Sequence, residues 1–283
     1  MNQAAFDAFS GVDGLTLRRE EPLCRHGSLR LGGAVEAYAV AHTESALLNA
    51  HKLARSERVR LHVVPGFTDL AAREEGCEGL LVRLGASFSV VRIDAKKVTV
   101  GVGASLARLG VVAHRAEMAG FESLQSLPGT VGEWIGLGGG LAVCGEALES
   151  VRVLSGRGVQ DVPRDRFQDI PKRALPLSLT LGEGLPMLPE GPPERGMLLE
   201  RDPRLAKHMA RAGLLGLRLR QLRLVDECPG VVVNLGAALS RDLELLRALV
   251  RDKLSKEMDD PPQLRLDLSS PFRSAALRIG ASS

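Results

Sequence analysis

The sequence predicts an α+β protein built in two regions. Two features carry that expectation: short alternating apolar segments and helical stretches follow one another through the first half, and a proline-rich stretch interrupts the order before both kinds resume. At 283 residues the chain exceeds the usual size of a single core, so one large or two moderate domains are expected.

Residues 36–41 read as a strand, and Thr43 offers an N-cap to a helix running to about Arg55. Val59, Leu61 and Val63 alternate as a strand that runs into the loop Pro65-Gly66-Phe67-Thr68-Asp69. Three further β segments are expected at 80–84, 90–93 and 98–102. Ser105 caps a helix with Leu106, Leu109 and Ala113 on its apolar side, closed by Gly120. After a strand at 150–154, the segment 182–196 holds Pro186, Pro189, Pro192 and Pro193, which excludes a continuous helix or a central strand. Beyond it come a helix near 205–212, a strand at 231–235 and a helix opened by Ser240, whose buried face is Leu243, Leu246, Val250 and Leu254. A last strand is expected at 263–268. The expected domains are 17–155 and 156–268, with 269–283 as a tail.

Composition narrows the partners. A formal charge of +3 is spread along the chain, and one Trp, one Tyr and seven Phe leave few rings for stacking bases, so nucleic acid is not an expected ligand. Cys24, Cys77, Cys144 and Cys228 stand too far apart for a zinc site or a redox pair, which suggests a reducing compartment and no metal. The opening residues lack a basic region followed by an apolar core, and no apolar run reaches the roughly 20 residues that span a bilayer. A cytoplasmic protein without membrane insertion is expected.

Familiar catalytic devices are missing. Gly101-Val102-Gly103 lacks the third glycine of a dinucleotide fingerprint, because Leu106 holds its place. There is no phosphate-loop signature, no GxSxG serine and no HExxH histidine pair. His26, His42, His51, His62, His114 and His208 read singly as surface or packing residues. The pairs Glu20-Glu21, Glu74-Glu75 and Asp259-Asp260 read as solvated charges. The most telling stretch is Leu127-Pro128-Gly129-Thr130-Val131-Gly132, followed by Gly136 and Gly138-Gly139-Gly140. Glycine at that density lets backbone amides approach a pyrophosphate or a flavin ring system, and it equally suits a tight crossing between packed elements.

Taken together, these pieces resemble the flavin-dependent UDP-N-acetylenolpyruvylglucosamine reductases, which make the muramic acid unit of the bacterial cell wall. Ser28-Leu29-Arg30-Leu31-Gly32-Gly33 looks like the family's first motif, and Val63-Val64-Pro65-Gly66-Phe67-Thr68-Asp69-Leu70 stands at its flavin loop. Gly79-Leu80-Leu81-Val82-Arg83-Leu84 follows at the family's distance. Pro128-Gly129-Thr130-Val131-Gly132 is similar to the Pro-Gly-Thr-Val-Gly-Gly loop with which the family binds FAD. Residues 211–218 and 231–236 resemble its C-terminal domain. The resemblance implies an FAD-binding domain of the vanillyl-alcohol-oxidase (PCMH-like) type followed by a smaller α+β domain. It implies FAD as the candidate cofactor, with NADPH if the chain is active. By the same resemblance Gly66, Thr68, Asp69, Pro128, Gly129, Thr130, Val131, Gly132, Gly138 and Gly139 would hold the cofactor. A UDP-amino sugar or another nucleotide would be the ligand, and cell-wall or division proteins form a further class of partner.

The catalytic groups of the family do not carry over. Met197 stands where the proton-donating Ser belongs, Gln263 where the Glu of the last strand belongs, and the Tyr-Arg pair is absent, Lys172 and Arg173 being the nearest cations. In the flavin loops Asp69 replaces Asn, Glu133 replaces the second glycine and Gly138 replaces Asn. A side chain from Phe67, Asp69 or Glu133 filling the cofactor cleft would exclude FAD. No catalytic residue is assigned, and three readings stand: a degenerate homologue with a binding or regulatory role, an active reductase forming UDP-N-acetylmuramate, or an interaction module without a small ligand.

Overall fold

The computed structural model describes residues 1–68, 70–137, 141–171, 174–186, 197–198, 205–226 and 230–258. A short helix, α1 (Gln3–Ser10), leads into β1 (Leu15–Pro22) and β2 (Ala34–Ala41). Thr43 caps α2 (Glu44–Ser56) by accepting from the Ala46 amide at 3.0 Å. Strands β3 (Leu61–Val64) and β4 (Cys77–Leu84) complete a first sheet in the order β1-β2-β4-β3, in which β2, β4 and β3 run parallel. One face of this sheet carries Ala37, Ala39 and Ala41, small enough for the Leu47, Ala50 and Ala54 side of α2 to pack closely. The other face carries Val35, Tyr38, Val64 and Leu81 under a separate small core with Leu23, Leu70 and Ala72.

A second sheet follows from β5 (Val91–Asp94) and β6 (Lys97–Gly101). Two helices, α3 (Leu106–Arg115) and α4 (Val131–Leu137), intervene before β7 (Leu148–Ser155), β8 (Gly158–Pro163) and β9 (Leu175–Leu181) close it in the order β5-β6-β9-β7-β8. The expected boundary at residue 155 falls inside this sheet, since β8 and β9 lie beyond it and pair with β7. Pro176 is tolerated in central β9 because β6 pairs only with residues 178–181, and the β7 register shifts between Arg152 and Val153 beside it. The helix expected to close at Gly120 ends at Arg115, where Glu117 takes the left-handed turn at φ 55°. Gly120 makes a second turn further on, at φ 91°.

After β10 (Met197–Leu198) and α5 (Leu205–Arg211), strands β11 (Arg218–Leu219), β12 (Leu222–Leu224) and β13 (Val231–Asn234) form a third, antiparallel sheet in the order β10-β13-β12-β11. Helix α6 (Ser240–Leu254) buries Leu243, Leu246, Val250 and Leu254 against it, the face expected from their spacing. This core also takes in Leu29, Leu31 and Ala71 from the first half of the chain. Glu74 accepts hydrogen bonds from the Ser240 amide and hydroxyl, and Arg73 pairs with Glu244 at 2.9 Å. The strand expected at 263–268 and the tail lie outside the described residues, as does most of the proline-rich segment. Among the described residues no helix is long and apolar enough to cross a membrane.

Candidate functional site

The carboxyl ends of the parallel strands β2, β4 and β3 open into one cleft of about 1130 Å³. Ligand loops gather at this end of parallel sheets because the chain leaves each strand there. His42 follows β2, Arg83 to Ala86 end β4, and Pro65 to Thr68 follow β3. Residues 25–30 form a second wall, and Asn234 to Gly236 from the end of β13 form a third. The walls are tied together: Asn234 Nδ2 donates to the Leu29 carbonyl at 2.7 Å, and the Ser28 hydroxyl donates to the Thr68 carbonyl.

The electrostatics of the cleft are one-sided. Arg25, Arg30, Arg83, His26 and His42 line it, with no Asp or Glu among its described lining residues. His26 stacks on Tyr38 and Phe67 with ring centroids 5.0 and 4.9 Å away, and its Nε2 meets Glu21 Oε1 at 2.9 Å behind the wall. Arg83 lies 5.9 Å from the Phe67 ring centre and beside the Tyr38 hydroxyl, whose pKa burial pushes up. Sequence reasoning read His26 and His42 as packing or surface residues and gave Arg83 no role. The signal available for Arg83 was a lone cation in the apolar run Leu80–Leu84 of β4.

The glycine-rich stretch forms the floor. It is a turn at residues 128–130 followed by α4, not the continuous loop its composition suggests. Gly129 sits at φ 95°, which a side chain would oppose. Gly132 presses on Pro65, where an added Cβ would come within 2.5 Å of the proline ring. The Val131 and Gly132 amides donate to the Ala104 and Val102 carbonyls at 2.9 and 2.8 Å, and the Val131 side chain is fully buried. These two residues hold the turn in place, and their own amides are engaged within the chain. Pro128 and Gly129 shape the turn, and Gly66, Thr68 and Thr130 line the cleft. Asp69, Gly138 and Gly139 lie outside the described residues, as do Lys172, Arg173 and Gln263; of Met197 only the strand backbone is described.

Between the two loops lies the Glu133 carboxylate, from the first turn of α4, only 8% exposed. Its Oε1 accepts from the Thr68 amide at 2.6 Å; its Oε2 accepts from the Thr130 amide at 2.8 Å and the Thr130 hydroxyl at 3.1 Å. A Cβ built on Gly66 would collide with that same Oε2. Of the three candidates for filling the cofactor cleft, Glu133 lies on the loop amides outside the cleft lining, Phe67 stacks with His26 in the wall, and Asp69 lies outside the described residues.

Comparison with known proteins places this geometry. Residues 35–160 match the FAD binding domain family. The UDP-N-acetylenolpyruvoylglucosamine reductase 2 of Symbiobacterium thermophilum is 26% identical over 270 residues, covering 85% of this chain and 88% of that protein. The corresponding reductase of Rubrobacter xylanophilus is 28% identical over 284 residues, covering 87% and 94%. The crystal structure of UDP-N-acetylenolpyruvylglucosamine reductase (MurB) from Thermus caldophilus superposes with a TM-score of 0.63 at 21% identity, covering 84% of this chain and 94% of that one. The chain is MurB-like, similar over most of its length to these reductases but divergent from them at 26% and 28% identity. Its fold is their FAD-binding, PCMH-like type in an α+β arrangement.

The family implies FAD, and the loops of this MurB-like chain can be tested against it. A flavin dinucleotide presents a diphosphate, which needs free donors and no neighbouring anion. Here the Thr68 and Thr130 amides already face a carboxylate of the chain itself. The residues present therefore do not fit a diphosphate on these amides. Burial pushes the Cys77 and Cys144 thiols up to about 12, so neither is a ready nucleophile. Among the described residues no cluster of three His, Cys, Asp or Glu side chains is arranged to hold a metal ion.

Proposed function

We propose that this chain is a degenerate homologue of the reductases, with a binding or regulatory role in the cytoplasm, and that its ligand is an anionic nucleotide of the UDP-amino-sugar class. The observation that carries this reading is the lining of the cleft: Arg25, Arg30, Arg83 and two histidines, without a described carboxylate. Guanidinium forks suit phosphate oxygens, and the His26 and Phe67 rings supply an apolar face beside them. Loss of the reaction is supported by residue type. A thioether at Met197 cannot donate a proton and the amide of Gln263 cannot ionise. Losing the acid alone costs about 100 to 10,000-fold in rate.

Calorimetric titration with UDP-N-acetylglucosamine at low salt tests the proposal. Saturable binding is expected, weakened about 10-fold or more in Arg83→Ala by loss of one charge-assisted contact. No heat from UDP, from its amino sugar or from other nucleotides would sink the nucleotide reading and leave a module that meets cell-wall or division proteins. A second reading, an active reductase using FAD and NADPH, is favoured by the match of residues 35–160 to the FAD binding domain family and by the retained turn at 128–130. NADPH oxidation dependent on UDP-N-acetylenolpyruvylglucosamine would establish it in place of the first.

A further inference from the structure

We infer that Glu133 is a tethered anion, built into the chain at the position where the two flavin loops would take a diphosphate, and that the protein folds and works without FAD. The inference starts from what the loops need. Thr68 and Thr130 lie 62 positions apart in sequence, and their amides converge on one point from two turns. Converging backbone donors at this half-buried floor call for an acceptor, a ligand anion, water or a side chain of the protein itself. Glu133 supplies it with both oxygens, and the Thr130 hydroxyl adds a third donor.

The surroundings fit this role. Gly66 and Gly129 leave room for the carboxylate: a Cβ on Gly66 would clash with Oε2, and one on Gly129 would come within 3.2 Å of it. The carboxylate is 8% exposed and lies below the cleft, outside its lining, so the cleft stays open above it. Position 133 lies in the first turn of α4, whose start is fixed by the Trp134 amide donating to the Thr130 carbonyl at 2.9 Å. The carboxylate is thus held at fixed reach, three residues from one donor and across the floor from the other. A dinucleotide entering here would set its diphosphate against a second negative charge in a place shielded from water, and it would find the amides engaged. An anion in the cleft is left to the arginine wall.

Flavin binding tests this separately from nucleotide binding on Arg83, so either reading can fail alone. Wild-type protein incubated with FAD and desalted should show no visible flavin absorbance and no shift in melting temperature. Glu133→Gly should retain FAD, with affinity raised about 100-fold or more. Wild type that keeps stoichiometric FAD through desalting overturns the inference, as does a Glu133→Gly protein that binds FAD no better than wild type. Glu133→Ala, with inorganic pyrophosphate as probe, gives a second measurement. Pyrophosphate should raise the melting temperature of Glu133→Ala and leave wild type unchanged; an equal response in both overturns the inference.

Discussion

Single side chains in this protein matter through what surrounds them, and His62 is a second case after Glu133. It lies on β3, where burial pushes its pKa down to about 4, with the nearby Arg60 adding to the effect. In the unfolded chain the same imidazole takes up its proton near 6.5. Between those values the unfolded state binds more protons, so stability rises with pH across that window and is lost as pH falls through it. The melting temperature of wild type should therefore drop between about pH 7.5 and pH 5, and His62→Gln should show a smaller drop. Equal slopes in the two proteins would show that other groups govern the acid response.

Elements are held at their ends as much as by their faces. Helix α6 opens with the Asp242 carboxylate accepting from the Leu239 amide at 3.0 Å and meeting Arg220 Nη1 at 2.6 Å. The Leu239 amide, and then Arg220, hold the Asp242 carboxyl below its usual range against an opposing effect of burial. That contribution is present at neutral pH and disappears as pH falls through the lowered value. Asp242→Ala should cost about 0.5–2 kcal/mol at neutral pH, read from urea unfolding, and the gap to wild type should narrow towards about pH 3. The same scale explains what was legible in the sequence. Thr43 and Ser105 accept from the amides three residues on, and the 243, 246, 250 and 254 spacing of α6 is a local pattern, so caps and apolar faces could be read directly. Strand β1, with Arg18, Arg19, Glu20 and Glu21, has no such pattern and gains its form by pairing with β2. Strand β9 was hidden by Pro176, whose tolerance depends on where the neighbouring strand stops.

At the scale of the whole molecule, the early motif at residues 28–33 joins the two ends of the chain. Leu29 is fully buried among α6 and β12 residues while its carbonyl accepts from Asn234. Leu29→Ala should lower stability by about 2–5 kcal/mol, because the core around it spans segments that cannot collapse independently. Chemical denaturation measures this, and a cost below about 1 kcal/mol would mean that the C-terminal sheet does not depend on the contact. By itself the sequence determined helices α2, α3, α5 and α6, about half of the strands and the resemblance to the reductases, because those rest on residues close in the chain or on motifs in a fixed order; α1 and α4 were not legible in it. Only the tertiary structure decided that β8 and β9 complete the second sheet, that three arginines from two distant segments share one cleft, and that Glu133 turns inward onto the Thr68 amide. Each of these depends on which distant segments meet, a matter of closure and packing that no local pattern of residues encodes.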